Sequence, residues 1–404
     1  MANELGLTKK TVFAKQSGLG TPATTGGKIK RRTSAVFDKA SDTYENNEIV
    51  SHQQSTGKNE SVTRTSGKLN GLLSAGTYFE QFASLLRQDF AAVPDLTGLS
   101  ITIAGSGPSY TITRGSGSFL TGGIKVGMTV RLTAGSFNAA NSNVNVLVIA
   151  MTATVLTVIV PNDAALVAEG PIASATLSVP GKVTYAPMTG HTNDYWTVEE
   201  LYTVNTKSEV FEDVKIASAQ VTIPASGNCT VAFDCPGLAR KTYTSQQIGS
   251  PAAETTTGVL TAAKGKIVVN GSAITVTGIQ FTIDGQIQPG EAEVGNSRIS
   301  DHVRGRIKVS GQMTAKFSNT TLRDLRDAQT RVPLITTATD GSAGTADLNG
   351  FTFPTIKIFT DTPDDGETKE VIRTYQWEAE IPSTGGSGVS QYQSICMLQD
   401  SQAS

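Results

Sequence analysis

The sequence predicts a mainly β protein. Two tandem β-sandwich modules, each with a flanking α-helix, are joined by a small β-sandwich or barrel inserted into the first. Three observations predict it. Charged residues make up 17% of the 404 positions, against roughly 25% in an average soluble domain, and Thr, Ser, Val and Gly take their place. Thr and Val favour strands, while Gly and Ser favour turns. A strand-and-helix pattern occurs twice, and a cluster of short alternating segments interrupts only the first occurrence.

The repeat sets the organisation. Ser66-Gly67-Lys68-Leu69-Asn70-Gly71-Leu72-Leu73-Ser74 and Ser310-Gly311-Gln312-Met313-Thr314-Ala315-Lys316-Phe317-Ser318 keep a constant offset of 244 residues. Leu69, Gly71 and Leu73 in one copy, and Met313, Ala315 and Phe317 in the other, alternate with mostly polar residues. That period of two predicts a strand with one buried face. Ile307 and Val309 extend the second strand upstream.

Each strand should then turn into a helix. Thr77 precedes Glu80 by three residues, and Thr321 precedes Asp324 by three. A Thr hydroxyl can accept from a free amide while the acid sits at the positive helix end, so both pairs mark helix starts. Tyr78, Phe82, Leu85 and Leu86, then Leu322, Leu325 and Ala328, recur at helical spacing. A strand pair closes each module. Val214, Ile216 and Val221 lead through a Pro224–Asn228 turn to Thr230–Phe233; Ile356 and Ile358 lead through Pro363-Asp364-Asp365-Gly366 to Tyr375–Ala379.

Between the helix and the strand pair of the first module lie six short strands with Gly- and Asn-rich turns, from Ser100–Ala104 to Ala175–Val179. The expected division is an N-terminal arm over 1–33 and a first module over 34–95 and 189–245. An inserted β domain occupies 96–188, a linker 246–266, and a second module 267–404.

Sites for chemistry are sparse. Lys plus Arg number 33 and Asp plus Glu 35, so no basic surplus marks a nucleic-acid grip. Cys229, Cys235 and Cys396 are too few for a disulfide framework and read as buried hydrophobes. His52, His191 and His302 lack neighbours at metal-ligand spacing; His302 reads as a surface residue near Asp301 or Glu293. Ala104-Gly105-Ser106-Gly107-Pro108 is followed by an alternating strand, not the helix that a dinucleotide turn requires, so it is a hairpin turn. Asp361, Asp364, Asp365, Glu367 and Glu370 partly follow calcium-loop spacing and read as a charged hairpin tip. Lys28-Ile29-Lys30-Arg31-Arg32 reads as a solvated arm or a patch meeting an acidic neighbour. No catalytic, cofactor or metal site is expected. The N-terminus lacks a signal-peptide pattern, and Val144–Val160 is too interrupted for a membrane span, which predicts a protein made in a reducing cytoplasm.

Three stretches resemble the major tail protein, or tail tube protein, of long-tailed bacteriophages. They are Glu48–Ser51 to Gly67–Gly71 before an aromatic helix, Thr113–Leu120 continued by Gly123–Leu132, and Glu199–Tyr202 followed by Val210–Ile216. The resemblance implies a structural virion protein, assembled in the host cytoplasm, whose sheets join into rings that stack into a hollow tail tube. It implies tape-measure protein and duplex DNA in the lumen, tail terminator and baseplate proteins at the ends, and no membrane partner. Two modules per chain predict homotrimeric rings, with hexamers as the alternative, and place Leu69, Gly71, Leu73, Met313, Ala315 and Phe317 on tube-wall strands. The rival reading is a β-sandwich adhesin or fibre subunit.

Overall fold

The computed structural model describes residues 3–52, 54–341, 343–364 and 370–404. Among these described residues the first unit opens with β1 (Lys9–Lys15) and β2 (Lys28–Ile29). The hairpin β3 (Ser34–Glu45) and β4 (Lys58–Leu72) follows, then α1 (Phe79–Leu86). Six strands come next: β5 (Leu96–Ala104), β6 (Ser109–Arg114), β7 (Thr129–Ala134), β8 (Val146–Met151), β9 (Val155–Ile159) and β10 (Glu169–Ser178). They close a barrel in the order β10-β5-β6-β9-β8-β7. After β11 (Lys182–Tyr185) the first unit resumes with β12 (Trp196–Tyr202), β13 (Lys207–Val214), β14 (Ser218–Pro224), β15 (Thr230–Asp234) and β16 (Ala239–Tyr243).

The second unit runs through β17 (Thr261–Val269), β18 (Ser272–Ala273), β19 (Val276–Asp284), β20 (Ile287–Pro289), β21 (His302–Arg304) and β22 (Lys308–Lys316). Then come α2 (Thr321–Asp327), β23 (Val332–Thr339), β24 (Leu348–Asp364), β25 (Ile372–Ala379) and β26 (Met397–Asp400).

The two units have the same pairings. The inner layer of the first is β3-β4-β15-β14, and that of the second is β19-β22-β25 with the C-terminal half of β24. The outer layers are β2-β1-β12-β13-β16 and β18-β17-β23 with the N-terminal half of β24, flanked by β26. Where the first unit breaks between β13 and β14, the second runs unbroken through β24. Register is preserved: Phe37 lies opposite Gly67 on β4, and Phe281 opposite Gly311 on β22. A Cβ on Gly67 would come within 2.1 Å of the Phe37 ring, so the glycine makes room for the aromatic. Antiparallel pairing of β14 with β19, from Ser218↔Asp284 to Pro224↔Gly278, fuses the inner layers into one sheet.

The alternation seen in the sequence places Leu69, Val221, Phe233, Phe281, Met313, Tyr375 and Trp377 in one buried core. Phe13, Trp196 and Phe211 from the outer layer form an edge-to-face and tilted chain with Phe37; Phe353 meets Phe281 and Trp377. Fully burying each such ring contributes roughly 2–3 kcal/mol. α1 lies under the line where the units meet, with Phe82 against both Phe233 and Phe351. The barrel rests on the outer layer of the second unit: Val126, Leu147, Ile149 and Ile159 bury Val268 and Ile335. Gln399 adds hydrogen bonds to both the amide (2.7 Å) and the carbonyl (3.0 Å) of Thr129.

Several expectations need correction. Residues 1–33 are not a free arm, because β1 is a central strand between β12 and β2. Both its faces are covered, Val12 by Ile248 and Phe13 by Trp196, which erases the alternation that would have revealed it. The 246–266 linker ends early: β17 starts at Thr261, and Ile248 and Leu260 are buried. Neither N-cap residue caps its helix through its side chain; at α2 the Asn319 Oδ1 accepts from the Thr321 amide at 3.1 Å instead. The N-cap of α1 is Tyr78, and the Thr77 hydroxyl instead bonds Ser74 and Thr255. In α2 the N-cap is Thr320, whose hydroxyl donates to Asp324, and Thr321 is the first helical residue. Glu80 does sit in the first turn, but its partner is Lys30.

Lys30 is therefore no solvated residue. Its ammonium is fully buried, 2.7 Å from Glu80, and burial pushes its pKa down while Glu80 pulls it up. His302 is buried rather than on the surface, with Nε2 2.9 Å from the Asp213 carbonyl. In the acidic cluster, Asp361 pairs with Arg373 at 2.6 Å, while Asp365 and Glu367 lie outside the described residues.

Candidate assembly surface

The fused inner sheet has one face in the core and one open. Period-2 alternation sends Asn70, Thr230, Gln220, Gln280, Gln312 and Gln376 to the open face. Gln280, Gln312 and Gln376 stand opposite one another on β19, β22 and β25, with 3.3 Å between the Gln312 Nε2 donor and Gln280 Oε1. The row continues through Thr360 on β24 and, on the other side, Thr222 and Thr230.

Charges on this face balance. A second row reads Lys68, Asp234, Ser218, Asp284, Lys308 across five strands, two cations outside two acids. Partial burial holds the Asp234 carboxyl above its usual range despite Lys68 alongside. Gln220, Gln280, Gln312, Phe359, Gln376 and Glu378 line a groove of about 480 Å³ on this face.

Residues singled out from the sequence sit one step out of phase with this surface. Leu69, Gly71, Met313 and Ala315 are on the inner sheet but point into the core. Leu73 and Phe317 lie just past the ends of β4 and β22. The surface residues are the ones between them, such as Lys68, Asn70, Gln312 and Thr314.

The sheet ends in two free edges. β3 pairs only with β4, and residues 357–364 of β24 pair only with β25 among the described residues. An unpaired edge is a template for another strand. Each unit also carries an arm beyond its first inner hairpin. In the second unit the arm, from Gly285 through β20 and β21 to Arg306, folds onto the first unit. There Ile299 joins Val62 and Leu238 in a buried cluster, and the Thr63 amide donates to the Ser297 carbonyl at 3.0 Å. Arg87, left-handed at φ 62° where α1 ends, donates to the carbonyls of Gly285 and Gly305, both at 2.8 Å.

The first unit's arm, the β3–β4 tip, is exposed, with Ile49 at 104% and Val50 alongside. A cleft of about 820 Å³ opens on the second unit between Arg306, Ile307, Glu380, Ile381 and Met188. Among the described residues no group of His, Cys, Asp or Glu is placed to hold a metal ion, and no helix is long and apolar enough to cross a membrane.

The fold is a doubled β-sandwich with one continuous inner sheet, a polar open face and unpaired edges, and an unpaired edge can accept another strand. Residues 6–379 match the family described as phage tail tube protein, and the chain belongs to that family. The family is structural and places the chain in the phage tail. No curated protein matches the chain.

Proposed function

We propose that the chain assembles head to tail into closed rings of three copies, six sandwich units in all, and that the rings stack into the hollow tail tube through which phage DNA passes. The chain acts as a wall and carries out no catalysis. The observation that carries this reading is the fused inner sheet, whose open face presents Gln, Thr and Ser, with Lys68 and Lys308 flanking Asp234 and Asp284 in one row. A channel lined this way offers duplex DNA no run of cations to displace its counterions, so DNA and the tape-measure protein can move past without sticking. Heterologous interfaces that close give rings, and repetition along the axis gives a tube. Assembly takes place in the host cytoplasm, with tail terminator and baseplate proteins at the tube ends.

The fold supports a division of labour in this reading. The two sandwich units build the wall, and the barrel, seated on the outer layer of the second unit, decorates the outside. Electron microscopy of the purified chain tests this: tubes or rings are expected, and isolated particles under all conditions would contradict it.

A further inference from the structure

Among the described residues Lys30, Lys125 and Lys215 are buried. Burying an ammonium is costly unless a carboxylate or several acceptors replace its water. Lys30 has Glu80, and Lys125 donates to the carbonyls of Gly386 and Val389. Lys215, 3% exposed, instead donates to one side-chain amide: its Nζ lies 2.5 Å from Asn193 Oδ1. The same Nζ stands 3.4 Å from the centre of the Tyr195 ring. Burial pushes the Lys215 pKa down to about 8, with Arg304 adding to the drop and Asp301 opposing it. A lysine desolvated in this way holds a share of neutral amine, which is a nucleophile.

The fold brings the reacting groups together. β12 and β13 pair from Tyr202↔Lys207 at their turn to Trp196↔Val214 at the open end, and Tyr195 and Lys215 are the next residues outward. Asn193 Nδ2 donates to the Tyr195 hydroxyl at 3.2 Å. That hydroxyl lies 2.8 Å from Oδ1 and 3.0 Å from Oδ2 of Asp301, on the arm of the second unit. One hydroxyl therefore bridges the amide nitrogen and a carboxylate. The buried Tyr195 ring covers the amine, while Asn193 is exposed, which gives its amide nitrogen a way out to solvent.

We propose that Lys215 and Asn193 join in an isopeptide bond that closes the open end of the β12–β13 hairpin. The neutral Nζ attacks Asn193 Cγ: the Nζ–Cγ bond forms and the Cγ–Nδ2 bond breaks. Nζ gives up one proton and Nδ2 gains one, leaving as ammonia. The Tyr195 hydroxyl, already bonded to Nδ2, supplies the proton to the leaving group, and the Nζ proton passes through Asp301 to restore the hydroxyl. A primary amide becomes a secondary one at constant oxidation state, so no oxidant, reductant or cofactor enters. The product is a covalent ring through β12 and β13, closed where β13 ends and the chain crosses from the outer to the inner layer. Closing that loop removes conformations from the unfolded chain and holds the hairpin against the second unit's arm. The bond is independent of the ring-and-tube reading.

Mass spectrometry of the purified full chain tests this. The wild type should be lighter than its sequence mass by one ammonia. Its tryptic digest should contain a branched peptide in which Asn193 and Lys215 are linked, with no cleavage after Lys215. Lys215→Arg and Asn193→Ala should each keep the full sequence mass. Asp301→Asn keeps both reacting groups but removes the carboxylate, so linking should slow and the linked fraction should climb as pH is raised above the Lys215 pKa. A wild-type chain at full sequence mass, with Asn193 and Lys215 in separate peptides, would overturn the bond. An ammonia loss that maps to an unlinked residue would overturn it equally. Asp301→Asn protein that links as fast as the wild type would overturn the relay.

Discussion

Val221 on β14 faces Phe281 on β19 across the line where the two repeated units meet, and this contact turns two four-stranded layers into one sheet. The residues are apolar on the core side and polar on the open side, so the join continues both the hydrophobic core and the polar surface. Everything proposed for assembly extends that relationship from one chain to several.

The glycines opposite the two repeat phenylalanines are a packing requirement. A Cβ at Gly311 would lie 2.5 Å from the Trp377 ring and 2.7 Å from the Gln280 carbonyl. Gly67→Ala and Gly311→Ala should each destabilise the fold by about 1–3 kcal/mol through overpacking, read from urea midpoints at unchanged slope. Gly278→Ala, whose Cβ would meet only the Ile223 carbonyl at 3.8 Å, should be far milder.

Lys30 and Glu80 hold the start of α1 against β2. Removing the carboxylate strands a fully buried ammonium, so Glu80→Ala should cost about 3 kcal/mol. Lys30→Met removes the charge itself and leaves Glu80 partly in solvent, so its cost should be smaller. Thermal denaturation of the two variants side by side gives the order, and a larger loss for Lys30→Met would contradict the account.

Asp400 ties the end of β26 to the turn before α1, accepting from the Gly76 amide at 2.9 Å with both oxygens. Burial pushes its pKa up to about 6, with Asp347 adding to the rise and Lys28 and the amides of Gln402 and Gly76 opposing it. The unfolded value is about 3.9, so between pH ~4 and ~6 the folded state holds more protons. This group's contribution therefore falls as pH rises through that window and is flat above it. Asp400→Asn should remove up to about 3 kcal/mol of that slope. The difference in urea stability between wild type and variant at pH 4.5 and pH 7 measures it; an unchanged difference would contradict the burial argument.

Much of this was legible in the sequence, and the misses have physical causes. The repeat at Ser66 and Ser310, the paired hairpins and the six barrel strands all carry period-2 alternation or turn residues, which are local signals. β1 was hidden because burial on both faces leaves no alternation. The start of α2 at Thr321 was legible, but the cap of α1 was misplaced because Thr77 found a partner in Thr255, far away in sequence. The inner sheet was found through its core side, Leu69 and Met313, because apolar residues announce a strand while the Gln row beside them reads only as polarity. Free edges and vacant clefts depend on which strands pair, and no local pattern encodes that.

The barrel should be dispensable for the wall. Replacing residues 96–178 with a short Gly-Ser linker uncovers Val268 and Ile335, so these two should be changed to Thr in the same variant to keep the exposed patch small. Tubes of reduced outer diameter are expected in negative stain. A folded variant that makes no polymer would show that the barrel belongs to the wall.

The most direct test of the central claim is a cryo-electron reconstruction of the assembled wild-type tube. Three copies per ring and three outer knobs are expected. The inner wall should be one continuous sheet with Gln280, Gln312 and Gln376 facing the channel. Six copies per ring with the second unit outside the wall, or a lumen lined by the other face of the sheet, would contradict it.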